Sequence, residues 1–281
     1  MDFTTISLLD ILKTLIENGF LFKSYKEFAE ENSSIGKNNN TIILRHDVDL
    51  KPQNSLATAI IESKLGIQGT YYFRMVPESY NEDIIKQIAY LGHEIGYHYE
   101  NMDSVVSRFK SKGIKFKNAE EKRERIIDAA YEEFCENLER FRKIYPIKTI
   151  CMHGSPRSPW DNKEIWYKYD YRKLGIIGEP YFDIDFNEVF YLTDTGRRWD
   201  GLRYSIRDRV PQQQKWIEQG LVFRTTNDII KAINENRFPS KAMITIHPQR
   251  WTDNYFEWTK ELVTQRAKNL VKWGLLRLRD R

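Results

Sequence analysis

The sequence is poor in cysteine and histidine, has no long apolar run and carries little excess of either charge. Its two cysteines, Cys135 and Cys151, sit in unrelated contexts among 281 residues. Without Cys-x-x-Cys spacing they read as reduced core residues, not as a redox pair or a zinc knuckle. The apolar start at Ile6, Leu8 and Leu9 is interrupted by Asp10 and Lys13. That is too soon for a signal peptide or a membrane span, so no integral membrane segment is expected and the expected location is cytoplasmic. The 44 Lys+Arg against 40 Asp+Glu leave a formal net charge of +4, with the two signs interspersed. A nucleic-acid partner, which calls for a clustered basic face, is therefore not expected. The basic end at Arg277, Arg279 and Arg281 suits a solvated helix terminus.

A Gly/Ser/Pro-rich linker is missing too, and no internal repeat is visible; Asn38-Asn39-Asn40 reads as a turn. What is present is a rhythm. Leu8, Leu9, Leu12, Leu15 and Ile16 fall at helical spacing before Gly19, so the chain opens on an amphipathic helix. Short apolar runs then alternate with helical stretches. The runs are Thr41 to Leu44, Gly69 to Phe73, Glu94 to Tyr97, Thr149 to Met152, Leu174 to Ile177, Val189 to Leu192, Leu221 to Phe223 and Met243 to Ile246. Helices are expected near 53 to 64, 82 to 91, 118 to 143 and 255 to 273. Such alternation argues for a parallel sheet with helices outside it, and seven or eight runs without a linker argue for one barrel. The expected organisation is one β/α-barrel domain over 1–281, with 1–40 as a helical extension packed on it.

Four of the five histidines stand at or just past the end of an apolar run: His46, His98, His153 and His247. The strand ends of a parallel β/α barrel open on one face, so these histidines are expected to converge there. Around His46 the chain reads Arg45-His46-Asp47-Val48-Asp49, which sets two carboxylates two residues apart. An Arg-bridged structural pair is one reading of these acids. The other is amide hydrolysis, which needs a nucleophilic water and a polarised carbonyl. A divalent metal held by one carboxylate and two imidazoles supplies both, a second carboxylate takes the water's proton, and an imidazole opposite protonates the leaving amine.

Five stretches carry a family resemblance: Leu44-Arg45-His46-Asp47-Val48-Asp49, Gly69-Thr70-Tyr71-Tyr72-Phe73, Gly92-His93-Glu94-Ile95-Gly96-Tyr97-His98, Arg157-Ser158-Pro159-Trp160 and Ile244-Thr245-Ile246-His247-Pro248. Together they resemble the polysaccharide deacetylases of the NodB-homology type, carbohydrate esterase family 4, over roughly residues 41 to 251. The resemblance implies an α/β fold, a single distorted (β/α)7 barrel, and removal of N-acetyl groups from sugars. It further implies Asp47 as general base, Arg157 as the group that orients it, His247 as general acid, and Asp49 and His98 as metal ligands.

Two departures mark a divergent subgroup. The acid pair is spaced Asp-Val-Asp where the family has adjacent acids, and the family's second histidine, four residues after the first, is here Met102. The expected substitute as third ligand is His153, with Glu100 as the alternative. The expected cofactor is Zn2+, and the expected partner is an amino sugar or oligosaccharide, contacted by Trp160, Trp199, Arg198 and Trp251. Arg197, Arg198 and Arg250 also suit an anionic sugar derivative. His46 has no assigned task. Two other functions stay open: a carbohydrate-binding protein without catalysis on the same fold, and a hydrolase of a different non-peptide C–N bond.

Overall fold

A computed structural model describes residues 1–31, 40–154, 158–200 and 210–279, with side chains described as far as residue 270. The chain opens with helix α1, Thr5–Glu17, whose Thr4 and Ser7 form a reciprocal cap and whose Leu8, Ile11, Leu12 and Leu15 are buried. The spacing i, i+3, i+4, i+7 puts those four on one face. Strand β1, Leu21–Lys23, and helix α2, Tyr25–Glu31, follow. The segment expected to be a helical extension holds these two helices and also contributes a strand.

Strand β2, Thr41–Val48, is buried at every position. It is followed by α3 (Pro52–Lys64), β3 (Thr70–Phe73), α4 (Glu82–Tyr90), β4 (Glu94–Tyr99), α5 (Asn101–Ser111), α6 (Ala119–Arg142) and β5 (Ile150–Met152). The second half holds α7 (Pro180–Asp183), β6 (Phe190–Thr193), α8 (Gln213–Glu218), α9 (Thr226–Asn234), β7 (Lys241–Ile246) and α10 (Tyr255–Arg279). No helix among the described residues is long and apolar enough to cross a membrane.

Among the described residues seven strands form one sheet in the order β5-β4-β3-β2-β7-β6, with β1 beside the start of β2, and every described pairing is parallel. The α/β class expected from the sequence is the one observed. Two expected strands take other forms. Tyr171–Leu174 is a 3-10 turn, and only Gly178 bridges to Thr149 beside β5. Leu221 to Phe223 is irregular. Among the described residues no ladder joins β5 to β6, so the barrel is incompletely closed.

One apolar cluster joins Leu8 and Leu12 to Leu44, Ile233 and Met243; a second joins Tyr71 and Phe73 to Ile88, Phe134 and Phe141. Gly96 lies where β4 meets the Tyr72 ring: an added Cβ would come within 2.3 Å of it. The position requires glycine for close approach, not for its torsion.

Glu179 is buried beside β5, where it accepts hydrogen bonds from the Met152 and Tyr181 backbone amides. Burial pushes its carboxyl from 4.5 up to about 7, against the pull of those amides and of Arg45. A carboxyl raised on folding binds more protons in the folded state, so stability falls as pH rises from 4.5 to about 7. The difference is worth about 3 kcal/mol. Chemical denaturation of metal-free protein at pH 5 and pH 7.5 should show that loss. The Glu179→Gln variant, whatever its baseline, should show a flatter profile, and an unchanged slope would contradict the assignment.

Candidate metal centre

Because the strands are parallel, the residues that end β2, β4, β5, β6 and β7 meet at one edge of the sheet. Alternation along β2 then sorts its side chains. Successive residues face opposite sides of a sheet, so His46 and Asp47 cannot both face the same side. Asp47 lies with His98 and Asp49 on the inner side. His46 points to α3 instead, with Nε2 2.7 Å from Glu62 Oε1, Nδ1 3.2 Å from the Thr70 carbonyl, and its ring stacked on Tyr71. Only three of the four histidines expected to converge do so, and His46 is a buried structural group. His93 is another: its Nδ1 accepts from the Gly69 amide and its Nε2 donates to the Ala59 carbonyl.

The three that converge surround Asp49. His98 Nε2 and His153 Nε2 each lie 3.6 Å from Asp49 Oδ1. The ligand atoms of this trio all lie within 4.8 Å of one another. Two ligand atoms on one tetrahedral zinc are about 3.3 Å apart, so the spacing is close to what a bound ion needs.

Polar contacts on the far side of each ring orient the two imidazoles. His98 Nδ1 lies 3.0 Å from the Cys151 carbonyl, which accepts only, so that nitrogen carries the proton and Nε2 presents its lone pair. His153 Nδ1 lies 3.0 Å from Glu100 Oε2, and Glu100 in turn accepts both 2.7 Å and 2.8 Å bonds from Arg74 Nη2. Asp49 Oδ2 accepts a 3.2 Å bond from Gln249 Nε2, while Oδ1, facing the histidines, is buried without a hydrogen-bond partner among the described residues. A buried oxygen left unpaired is costly, and a cation satisfies it.

A second trio, Asp47, His98 and Cys151, is also close enough to hold an ion. It is the poorer candidate. Both oxygens of Asp47 already accept from one guanidinium, Arg45 Nε at 2.8 Å and Arg45 Nη2 at 2.6 Å. That pairing balances the charge, whereas among the described residues the Asp49 carboxylate has imidazoles and the Gln249 amide around it.

Electrostatics divides the acids from the bases. Burial would raise the Asp49 carboxyl, but His98, His153 and His247 hold it well below the usual carboxylate range. Burial likewise works against Asp47, and Arg45 together with His98 keeps it lowered and ionised. For His153 burial lowers the pKa, but Glu100 and Asp49 prevail and the net shift is upward.

Across from the trio stands His247. Its Nε2 lies 3.9 Å from Asp49 Oδ2, and its Nδ1 lies 2.5 Å from Asp194 Oδ1. Asp194, the first residue after β6, also accepts from the His247 amide at 3.0 Å, Arg250 Nη1 at 2.6 Å and Trp251 Nε1 at 2.7 Å. Burial would raise it, yet Arg250 and His247 hold it lowered. The buried anion fixes the orientation of the His247 ring.

The expected sugar contacts fare differently. Trp251 is 2% exposed and spends its indole N–H on Asp194, and Trp199 is 4% exposed and donates to Thr226 Oγ1. Both pack near Phe3, so neither offers a face to a groove. Buried indoles need an acceptor, and these found one in the core. Arg198 chelates Asp200 through Nε and Nη2. Trp160 is half-buried next to Ser158. Arg157 lies outside the described residues; the task expected of it, holding Asp47, is performed in this structure by Arg45.

Sequence reasoning passed over Asp194, Arg74 and Gln249. Asp194 follows an apolar run as the histidines do, and the same strand-end rule applied to acids would have found it.

No family model and no curated protein matches this sequence. Among solved structures the chain is similar to a CE4 family pseudoenzyme from Bacillus anthracis, at 13% identity and a TM-score of 0.40, over 84% of this chain and 63% of that one. It is also similar to a mutant of that pseudoenzyme with restored enzymatic activity, at 12% identity and a TM-score of 0.40, over 84% and 65%. The chain spans less than two thirds of the length of either.

Glu100 makes a direct prediction. Because it touches His153 Nδ1, Glu100→Gln should leave the fold intact and weaken zinc binding about 10- to 100-fold, as loss of such outer partners does. Competition with a chromogenic chelator measures it. Complete loss of the metal would instead make Glu100 the third ligand, and unchanged affinity would remove it from the site.

Proposed function

We propose that the protein is a metal-dependent hydrolase that removes an N-acyl group, acetyl foremost, from an amino sugar or a polysaccharide precursor. One observation carries the reading. The unpaired, buried Asp49 Oδ1 lies 3.6 Å from two imidazole nitrogens, both of whose rings are fixed from behind. The motifs around Asp47, His98 and His247 supply the substrate class by resemblance.

Asp49, His98 and His153 would hold the cation, and two nitrogens with one carboxylate oxygen suit zinc. A divalent ion there supplies Lewis-acid polarisation of an acyl carbonyl and lowers the pKa of water. Asp47, ionised and held by Arg45, receives the water's proton. His247, steadied at Nδ1 by Asp194, delivers a proton to the departing amine. A proton acceptor and a proton donor would thus both stand beside Asp49, as general acid–base catalysis requires.

The test is release of free amine from N-acetylglucosamine oligomers by protein treated with EDTA, then resupplied with Zn2+. The reading predicts activity lost on chelation and recovered with the ion. Saturable oligosaccharide binding without turnover, unaffected by EDTA, would favour a binding protein on this fold.

A further inference from the structure

Helix α10 is inverted relative to an ordinary outer helix, which turns apolar residues in and polar ones out. Its amides Gln265 and Asn269 are only 5% and 8% exposed, whereas Phe256, Val263 and Leu270 stand out at 76%, 63% and 71%. Polar contacts hold the inward side. Asn269 Nδ2 donates to the Gly196 carbonyl at 2.9 Å, Gln265 Nε2 donates to Asn269 Oδ1 at 3.0 Å, and Trp258 Nε1 donates to the Asp2 carbonyl at 2.7 Å. Turning the helix to hide its apolar residues would break these bonds.

Phe256, Val263 and Leu270 are seven residues apart. Seven residues make almost two turns, so the three fall on one line about 21 Å long. The exposed charges around that line are of one sign: Lys260, Arg266 and Lys268. The two acids of the helix are half-buried and engaged elsewhere, Glu257 with Lys51 Nζ at 3.1 Å and Glu261 acting on Arg197. Beyond Glu261 the sequence has no acid until Asp280, and Arg266, Lys268, Lys272, Arg277 and Arg279 lie between them.

We propose that the outer face of α10 docks the protein on an anionic lipid surface. The observation that carries it is a continuous apolar line flanked by exposed cations, with no exposed acid among the described residues of the helix. Apolar side chains on such a face enter the boundary between headgroups and acyl chains, while lysine and arginine meet anionic headgroups. Charge decides against a second copy of the chain as the occupant, because two such faces, packed in either direction, would set cations against cations. Lys51 stands two residues after Asp49, so its pair with Glu257 ties the first turn of α10 to the segment that carries Asp49. Docking therefore sets that segment beside the lipid surface. The inference stands independently of the metal-hydrolase reading.

The test is co-sedimentation of the full chain with vesicles, either phosphatidylcholine alone or phosphatidylcholine with an equal part of phosphatidylglycerol. Binding to the anionic vesicles about tenfold stronger than to the neutral ones is expected, and it should weaken as salt is raised. Two pairs of substitutions confined to exposed side chains should each lower it about tenfold: Phe256→Ser with Val263→Ser removes apolar area, and Lys260→Glu with Lys268→Glu reverses two charges. Asp49→Ala should lose metal yet bind vesicles as the parent does, which keeps failure of one reading apart from failure of the other. Absence of binding, equal binding to both kinds of vesicle, or binding undiminished in either pair overturns the proposal. A concentration-dependent dimer that disappears in Phe256→Ser with Val263→Ser, without vesicle binding, assigns the face to a second copy instead and likewise overturns it.

Discussion

Asp47→Asn is expected to retain the metal and to slow N-acyl hydrolysis about 10²- to 10⁴-fold, the contribution of a well-placed general base. The same change strips Arg45 of its anion. Arg45 is fully buried and both arms of its pairing end on Asp47. Leaving such a cation unpaired costs about 3–5 kcal/mol, so the variant should also unfold at markedly lower denaturant. Asp49→Asn is the contrast: it should lose metal and activity together. Steady-state rates, metal content and urea midpoints measured on both variants separate the roles. Full activity in Asp47→Asn would remove the base assignment.

Asp194→Asn is expected to have the second large effect, again about 10²- to 10⁴-fold on amide hydrolysis, because His247 would lose the partner that fixes its tautomer and its orientation. The effect should depend on the leaving group. An amine must be protonated to depart, whereas p-nitrophenolate need not be, so p-nitrophenyl acetate hydrolysis should fall far less. Equal losses on both substrates would mean that His247 is not the acid. The lowered pKa of Asp194 adds a stability signature. A carboxyl lowered on folding contributes stability above its ordinary value of about 4, and the contribution disappears as pH falls through the folded value.

Much of this arrangement is visible in the order of residues. Apolar runs that end in His98, His153 and His247 placed three histidines at one edge of a parallel sheet, because parallel strands finish together. The expectation that His153 takes the place of the histidine missing at Met102 followed from the same rule, and the structure brings His153 Nε2 to 3.6 Å from Asp49. What escaped was direction. His46 also ends an apolar run, but the strand continues through Val48, and alternation turns His46 outward to Glu62. Glu62 offered a signal, since it shares a helix face with the buried Ser55, Thr58 and Ala59. Burial of the tryptophans escaped for a different reason. Trp199 and Trp251 meet Phe3 across more than 190 positions of chain, and no local pattern encodes such a contact. Arg45 was legible only as a neighbour of the acids. Its side-on grip on Asp47 is a matter of geometry that composition does not carry.

The central claim is that Asp49, His98 and His153 hold a metal. Elemental analysis of the purified protein beside Asp49→Ala, His98→Ala and His153→Ala tests it most directly. About one equivalent of transition metal is expected in the parent protein, with its loss in each variant and folding verified by circular dichroism. A parent protein that stays metal-free after incubation with zinc, or a His153→Ala variant that keeps a full equivalent, would contradict it.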